Sequence, residues 1–107
     1  MTAFERLRQN GIEVNPQTLA VIARKYSIIE ISVFGSSLGS RARNDSDVDL
    51  LVSFAPEAMI SLFDLMDLEN ELSEAFQRPV DIVEPEALTN PIRRRNILST
   101  KQLLYAA

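Results

Sequence analysis

The spacing of hydrophobic positions changes several times along the chain, and each change marks an element. Ala3 to Asn10 reads as a short helix stopped by Gly11. Asn15 and Pro16 then supply an N-cap and a first-turn proline for a second helix reaching about Tyr26. Leu19, Ile22 and Ala23 recur there at helical spacing and are assigned to the core. From Ile28 to Phe34 the run is dense in β-branched residues, alternates in part and ends at Gly35, the pattern of a largely buried strand. Ser36 to Ser46 is rich in Gly, Ser, Asn and Arg and reads as a loop. A second strand follows from about Asp47 to Phe54, closed by Pro56.

Helical spacing returns from about Ser61 to Gln77, with Leu65, Leu68, Leu72 and Phe76 at steps of three and four. Asp64, Asp67, Glu71 and Glu74 form a parallel acidic stripe, read as a solvated face. Val80 to Val83 is a third, short strand. Pro85 to Leu88 and Pro91 to Ser99 read as one or two terminal helical segments. Helices alternating with strands predict an α+β or α/β sandwich, a small mixed sheet with helices packed on it. At 107 residues the chain can bury one hydrophobic core, so residues 1–107 are expected to form one domain.

Composition narrows the chemistry. Cysteine and histidine are both absent, which removes zinc sites and most nucleophilic triads, and leaves oxygen ligands for any metal. A net charge of −4 and a pI near 4.8 argue against tight, sequence-independent nucleic-acid binding and disfavour a template-reading polymerase. No apolar run approaches the roughly 20 residues that span a bilayer. The N-terminus lacks the apolar stretch of a secretory signal, so a cytoplasmic location is expected.

The candidate chemistry sits around the first two strands. Gly35-Ser36 directly follows a strand. Glycine permits close backbone approach, Ser36 offers a hydroxyl to a phosphate oxygen, and a helical turn there would present free N–H groups to an anion. Twelve residues beyond Gly35, Asp47-Val48-Asp49 opens the next strand. A period of two puts both carboxylates on one face and Val48 and Leu50 on the other. Two adjacent anions repel unless a cation lies between them, and Mg²⁺ favours one or two carboxylates plus substrate phosphates. Asp81 is a third carboxylate inside an apolar run, costly to bury unless paired or metal-bound. Three acids and a phosphate-cradling turn suit the two metal ions, about 3.5–4 Å apart, that serve phosphoryl and nucleotidyl transfer.

Phe34-Gly35-Ser36, Asp45 through Val52, and Val80 through Leu88 resemble the nucleotidyltransferase superfamily that includes DNA polymerase β, and most closely its minimal (MNT) members. The resemblance runs from about Ile28 to Ala107 and implies the nucleotidyltransferase fold. It implies that Asp47 and Asp49 ligate two Mg²⁺ ions, that Asp81 completes the site and orients or deprotonates the attacking hydroxyl, and that Gly35 and Ser36 hold the triphosphate, with ATP the expected substrate. Minimal members often carry Arg soon after Gly-Ser. Here Ser37, Leu38 and Gly39 intervene, and the matching text, Arg41-Ala42-Arg43, comes later, which makes Arg41 and Arg43 the candidate nucleotide contacts.

Minimal members also resemble the antitoxin half of two-gene modules and are thought to adenylylate a HEPN-type toxin on a tyrosine. The resemblance thus implies AMP transfer to a partner protein's hydroxyl. A second reading, a binding antitoxin that acts by occlusion with little catalysis, stays open because of the displaced arginines. A third, a small-molecule nucleotidyltransferase of the drug-modifying kind, fits less well because those relatives carry a second domain. The Arg93-Arg94-Arg95 run reads first as a solvated terminal helix, with a triphosphate or partner contact as the alternative; consecutive helical residues diverge, so at most one or two can serve one site.

Overall fold

A computed structural model describes residues 2–35 and 47–107. The first helix, α1 (Ala3–Gln9), is capped by Thr2, whose hydroxyl accepts from the Glu5 N–H. In α2 (Pro16–Lys25) the Asn15 side chain accepts from the N–H groups of Gln17 and Thr18, with Pro16 in the first turn. Two strands follow, β1 (Ile28–Phe34) and β2 (Val48–Phe54). Then α3 (Leu62–Phe76) opens on a capping box between Ser61 and Asp64 and closes at Gln77 in the left-handed region. It leads into β3 (Val80–Val83), a 3₁₀ turn (Pro85–Ala87), α4 (Pro91–Thr100) and β4 (Gln102–Ala106). Among the described residues no helix is long and apolar enough to cross a membrane.

The four strands form one mixed sheet in the order β3-β2-β1-β4. Antiparallel pairing joins β1 to both β2 and β4, whereas β2 and β3 run parallel. Parallel neighbours need a crossover, and α3 provides it. The start of β3 is pinned to that helix: the Ser73 hydroxyl accepts from the Val80 N–H at 3.1 Å, and the Ser73 carbonyl accepts from the Arg78 N–H at 3.2 Å.

Alternation gives the sheet two unlike faces. Ile31, Val33, Val48, Leu50 and Val52 point into the main core with Leu7 of α1, Leu19, Ile22 and Ala23 of α2, and Leu68, Leu72 and Phe76 of α3. The expected core positions of α2 and α3 are therefore buried, apart from half-buried Leu65 at the helix edge. The opposite face carries Ser32, Phe34, Asp49, Leu51, Asp81 and Val83 by the same alternation. Among the described residues a small second cluster covers part of it, in which Leu88 and Ile97 pack on Phe34 and Leu51. Among the described residues, three helices thus shield one face and one short helix covers part of the other.

Two departures from the sequence pattern have physical reasons. Residues 102–106, which lie beyond the terminal helical segments expected from the sequence, form β4. Only Leu104 of that strand is buried, so it lacks a hydrophobic signal, and its backbone pairing with β1, about seventy residues earlier, holds it in place. Strand β2 begins at Val48 rather than Asp47, because the Val48 N–H donates to the Pro79 carbonyl at 2.9 Å and starts the ladder there.

Candidate active site

One corner of the open face gathers the acidic residues. Asp49 faces Phe34 across the β1–β2 pair and is the register partner of Asp81 across β2–β3. Side chains of register partners project to the same side, so the two carboxylates stand side by side. Val48 and Leu50 turn to the helical core and are fully buried, as the period of two requires. Asp47 sits one residue before the strand. It is exposed, as is Asp81 on the sheet's edge, while Asp49 is half-buried between them. Asp81 therefore avoids the burial cost that its apolar neighbours suggest, by facing outward from the last strand.

Electrostatics concentrate on Asp49. Its pKa is raised above the ordinary carboxylate value, first by burial and then by the negative charges of Asp81 and Asp47; the Arg93 guanidinium acts in the opposite direction. Asp81 and Asp47 are therefore both close enough for their charges to act on Asp49.

Gly35 completes the corner. Its φ of +80° lies in the left-handed region, and a methyl group on its Cα would meet Asp49 Oδ2 at 2.6 Å. Glycine is thus required twice, for the turn after β1 and for the close seat of the Asp49 carboxylate. The sequence pattern suggests close approach to a ligand at this position. In the described residues the group approached is the central carboxylate.

A family model described as polymerase beta, nucleotidyltransferase, matches residues 17–107. The chain belongs to this nucleotidyltransferase family. Among relatives, the protein adenylyltransferase MntA of Thermococcus cleftensis is 36% identical over 73 residues, 68% of this chain and 72% of the relative. MJ1217 of Methanocaldococcus jannaschii, whose name gives it provisionally as a protein adenylyltransferase, is 31% identical over 85 residues, covering 79% and 83%.

Solved structures agree on the nucleotidyltransferase fold. A chain provisionally described as a minimal nucleotidyltransferase superposes with a TM-score of 0.67 at 30% identity, covering 94% of each chain. A chain from a toxin–antitoxin structure with AMP-PNP gives 0.66 at 23% identity, covering 88% of this chain and 75% of that one. A chain from the complex of tri-AMPylated Shewanella oneidensis HEPN toxin with MNT antitoxin gives 0.56 at 16%, covering 94% and 73%.

Within this nucleotidyltransferase, Gly35, Asp47, Asp49 and Asp81 come to one corner. The candidate nucleotide contacts Ser36, Arg41 and Arg43 lie outside the described residues. The donor set is all oxygen, the kind that a hard cation such as Mg²⁺ takes, and burial followed by like charge raises the pKa of Asp49. Among the described residues no three acidic side chains converge as a closed ligand cluster. A surface hollow of about 520 Å³ lies on the helical side between Phe4, Arg8, Val14 and Ala75.

One residue read from the sequence as part of a solvated helix belongs near the site. Arg93 is close enough for its charge to act on Asp49. Its signal was its spacing: it precedes Ile97, the buried residue of α4, by one helical turn and so shares that residue's face.

Proposed function

We propose that this nucleotidyltransferase moves AMP from ATP to a hydroxyl of a partner protein, a helical HEPN-type toxin, and acts as that toxin's antitoxin. The pairing of Asp49 with Asp81 beside Gly35 carries the proposal, because it sets two carboxylates side by side after a glycine turn, with Asp81 exposed at the sheet edge. The names of the relatives and the complexes in which the structural neighbours occur support the choice of acceptor.

In this reading Asp47, Asp49 and Asp81 would hold two Mg²⁺ ions, which would supply positive charge to the phosphates at the reacting centre. The acceptor oxygen attacks the α-phosphorus from the open face. A new P–O bond forms as the bond from the α-phosphorus to the bridging oxygen of the β-phosphate breaks, and pyrophosphate leaves with that electron pair. Asp81, exposed at the sheet edge, orients the hydroxyl and accepts its proton. Gly35 keeps Asp49 seated, and Ser36, Arg41 and Arg43 hold the triphosphate. The helical layer behind β1 and β2 keeps the corner rigid, so the acceptor is brought to fixed carboxylates.

The test is intact-mass analysis of the HEPN-type partner after incubation with this chain, ATP and Mg²⁺. Added AMP mass is expected, and its absence at every ratio of the two proteins sinks the proposal. The Asp47→Asn, Asp49→Asn double variant separates transfer from occlusion: neutralisation of the partner is lost if transfer is the mechanism and persists if occlusion is.

A further inference from the structure

Arginine side chains recur three times in the first half of α4, at positions 93, 94 and 95, and the structure gives them different surroundings. Arg94 donates from Nη1 to the Pro85 carbonyl at 2.9 Å, tying the helix to the preceding 3₁₀ turn. Arg95 lies two residues before Ile97, so the helical repeat turns it away from the face on which Ile97 packs. Arg93 lies four residues before Ile97 and shares that face.

Ile97 rests on Phe34 and Leu51. Phe34 is opposite Asp49, and Leu51 follows Asp49 on the same side of β2. The anchor of α4 therefore sits beside the column that carries Asp49, and Arg93 lies one turn before that anchor on the same face of the helix. We propose that Arg93 is a binding residue for the substrate's triphosphate, its guanidinium gripping phosphate oxygens above the Asp49–Asp81 pair. The proposal rests on the nucleotidyl-transfer reading and adds a residue to it.

Several observations converge on this role. The Arg93 side chain is exposed and takes part in none of the hydrogen bonds or ion pairs among the described residues, so it can turn to a ligand. Among the described residues, the Lys101 ammonium is held by Glu30 at 2.6 Å. The backbone end of α4 is also occupied, since Asn90 Oδ1 accepts from the N–H groups of Ile92 and Arg93 at 3.0 and 3.2 Å. Phosphate recognition at α4 thus falls to a side chain rather than to the helix terminus. Three carboxylates and a triphosphate are all anions, and a planar guanidinium that binds two oxygens at once is the side chain best shaped to relieve their repulsion.

The experiment compares Arg93→Gln, Arg93→Lys and Arg95→Gln with the unaltered chain. Binding of a non-hydrolysable ATP analogue with Mg²⁺ is measured by calorimetry, and AMP transfer to the partner by steady-state kinetics. Arg93→Gln is expected to weaken analogue binding and raise KM for ATP by about tenfold to a hundredfold, the loss of a charge-assisted contact, with a smaller change in kcat. Arg93→Lys should recover part of the loss, and Arg95→Gln, with the same change in charge, should leave both quantities within twofold.

Equal effects from Arg93→Gln and Arg95→Gln would reduce the effect to net charge and overturn the proposal. Unchanged analogue binding and KM in Arg93→Gln, beside an active unaltered chain, overturns it alone and leaves the transfer reading standing; a loss of partner affinity only does the same by making Arg93 a protein contact. An unaltered chain that binds no triphosphate overturns both.

Discussion

Glu71 and Asp49 are half-buried carboxylates on opposite sides of the same small sheet, and their surroundings are reversed. Glu71 projects from α3 toward α2, where the Lys25 ammonium donates to both its oxygens at 3.1 Å and the Tyr26 hydroxyl donates to one. Its pKa is lowered, first by the Tyr26 hydrogen bond, with Lys25 adding to the effect against a cost of burial. Tyr26 is pushed up to about 12, by burial first and then by Glu71. Asp49 is raised instead, by burial and by two more carboxylates. The first group is balanced by its own chain and serves as a fastener between two helices. The second is pushed the opposite way by burial and like charge, with the Arg93 guanidinium acting against them among the described residues, and this difference separates a structural carboxylate from a candidate functional one more sharply than exposure does.

The strongest way to break this comparison is to neutralise the central acid. Asp49→Asn should bring AMP transfer to background while Glu71→Gln leaves it within a few-fold, as read by the mass of the modified partner. Equal losses in the two variants would dissolve the distinction. Next in size is Gly35→Ala, which places a methyl group against Asp49 Oδ2. A carboxylate displaced by about 1 Å is expected to cost about a hundredfold in transfer, and the positive φ about 1–2 kcal/mol in stability, seen as lost activity in a protein that still folds.

Glu71→Ala should cost about 1 kcal/mol, discounted because Lys25 is largely exposed, and lower the melting temperature by about 5 °C. Activity per folded molecule should be unchanged.

The smallest effect is one of pH. A lowered pKa at Glu71 contributes stability that is present above the carboxylate's unfolded pKa and lost as pH falls through its folded value. A raised pKa at Asp49 works in reverse: its contribution is fully present below the unfolded pKa and lost as pH rises through the folded one. In metal-free buffer at neutral pH, Asp49→Asn should therefore melt slightly higher than the unaltered chain, with the gap closing as the buffer is acidified. Thermal melts across the acid range check both signs, and a gap that widens on acidification contradicts the assignment.

Much of the site could be read in the sequence because it is local. Val48 and Leu50 are apolar and Asp49 is not, so alternation alone puts Asp49 on the face away from the core. Gly35 at the end of an apolar strand likewise announces a turn that other residues resist. What the sequence hides is lateral. Asp81 reaches Asp49 only through a parallel pairing across a helical crossover, and no local pattern encodes that register. The same holds for β4, whose partner lies at the other end of the chain, and for Glu71, which looks like one member of a solvated stripe until α2 supplies Lys25 and Tyr26. Arg93 sits between these cases: its turn of separation from Ile97 was visible, but which side of the sheet Ile97 covers was not. The roles expected of Ser36, Arg41 and Arg43 concern residues outside those described and stand as part of the proposal.

The pin between Ser73 and Val80 has a reach beyond local stability. Because a strand's side chains alternate, it sets the phase of β3 relative to β2, and a slip of one position would turn Asp81 to the helical side and bring a hydrophobic residue to the corner. The α3–β3 junction is in this sense an indexing device, fixing which of two interleaved rows of side chains faces the reaction. Substitutions there, well away from any aspartate, would show themselves first as lost chemistry in a protein that remains folded.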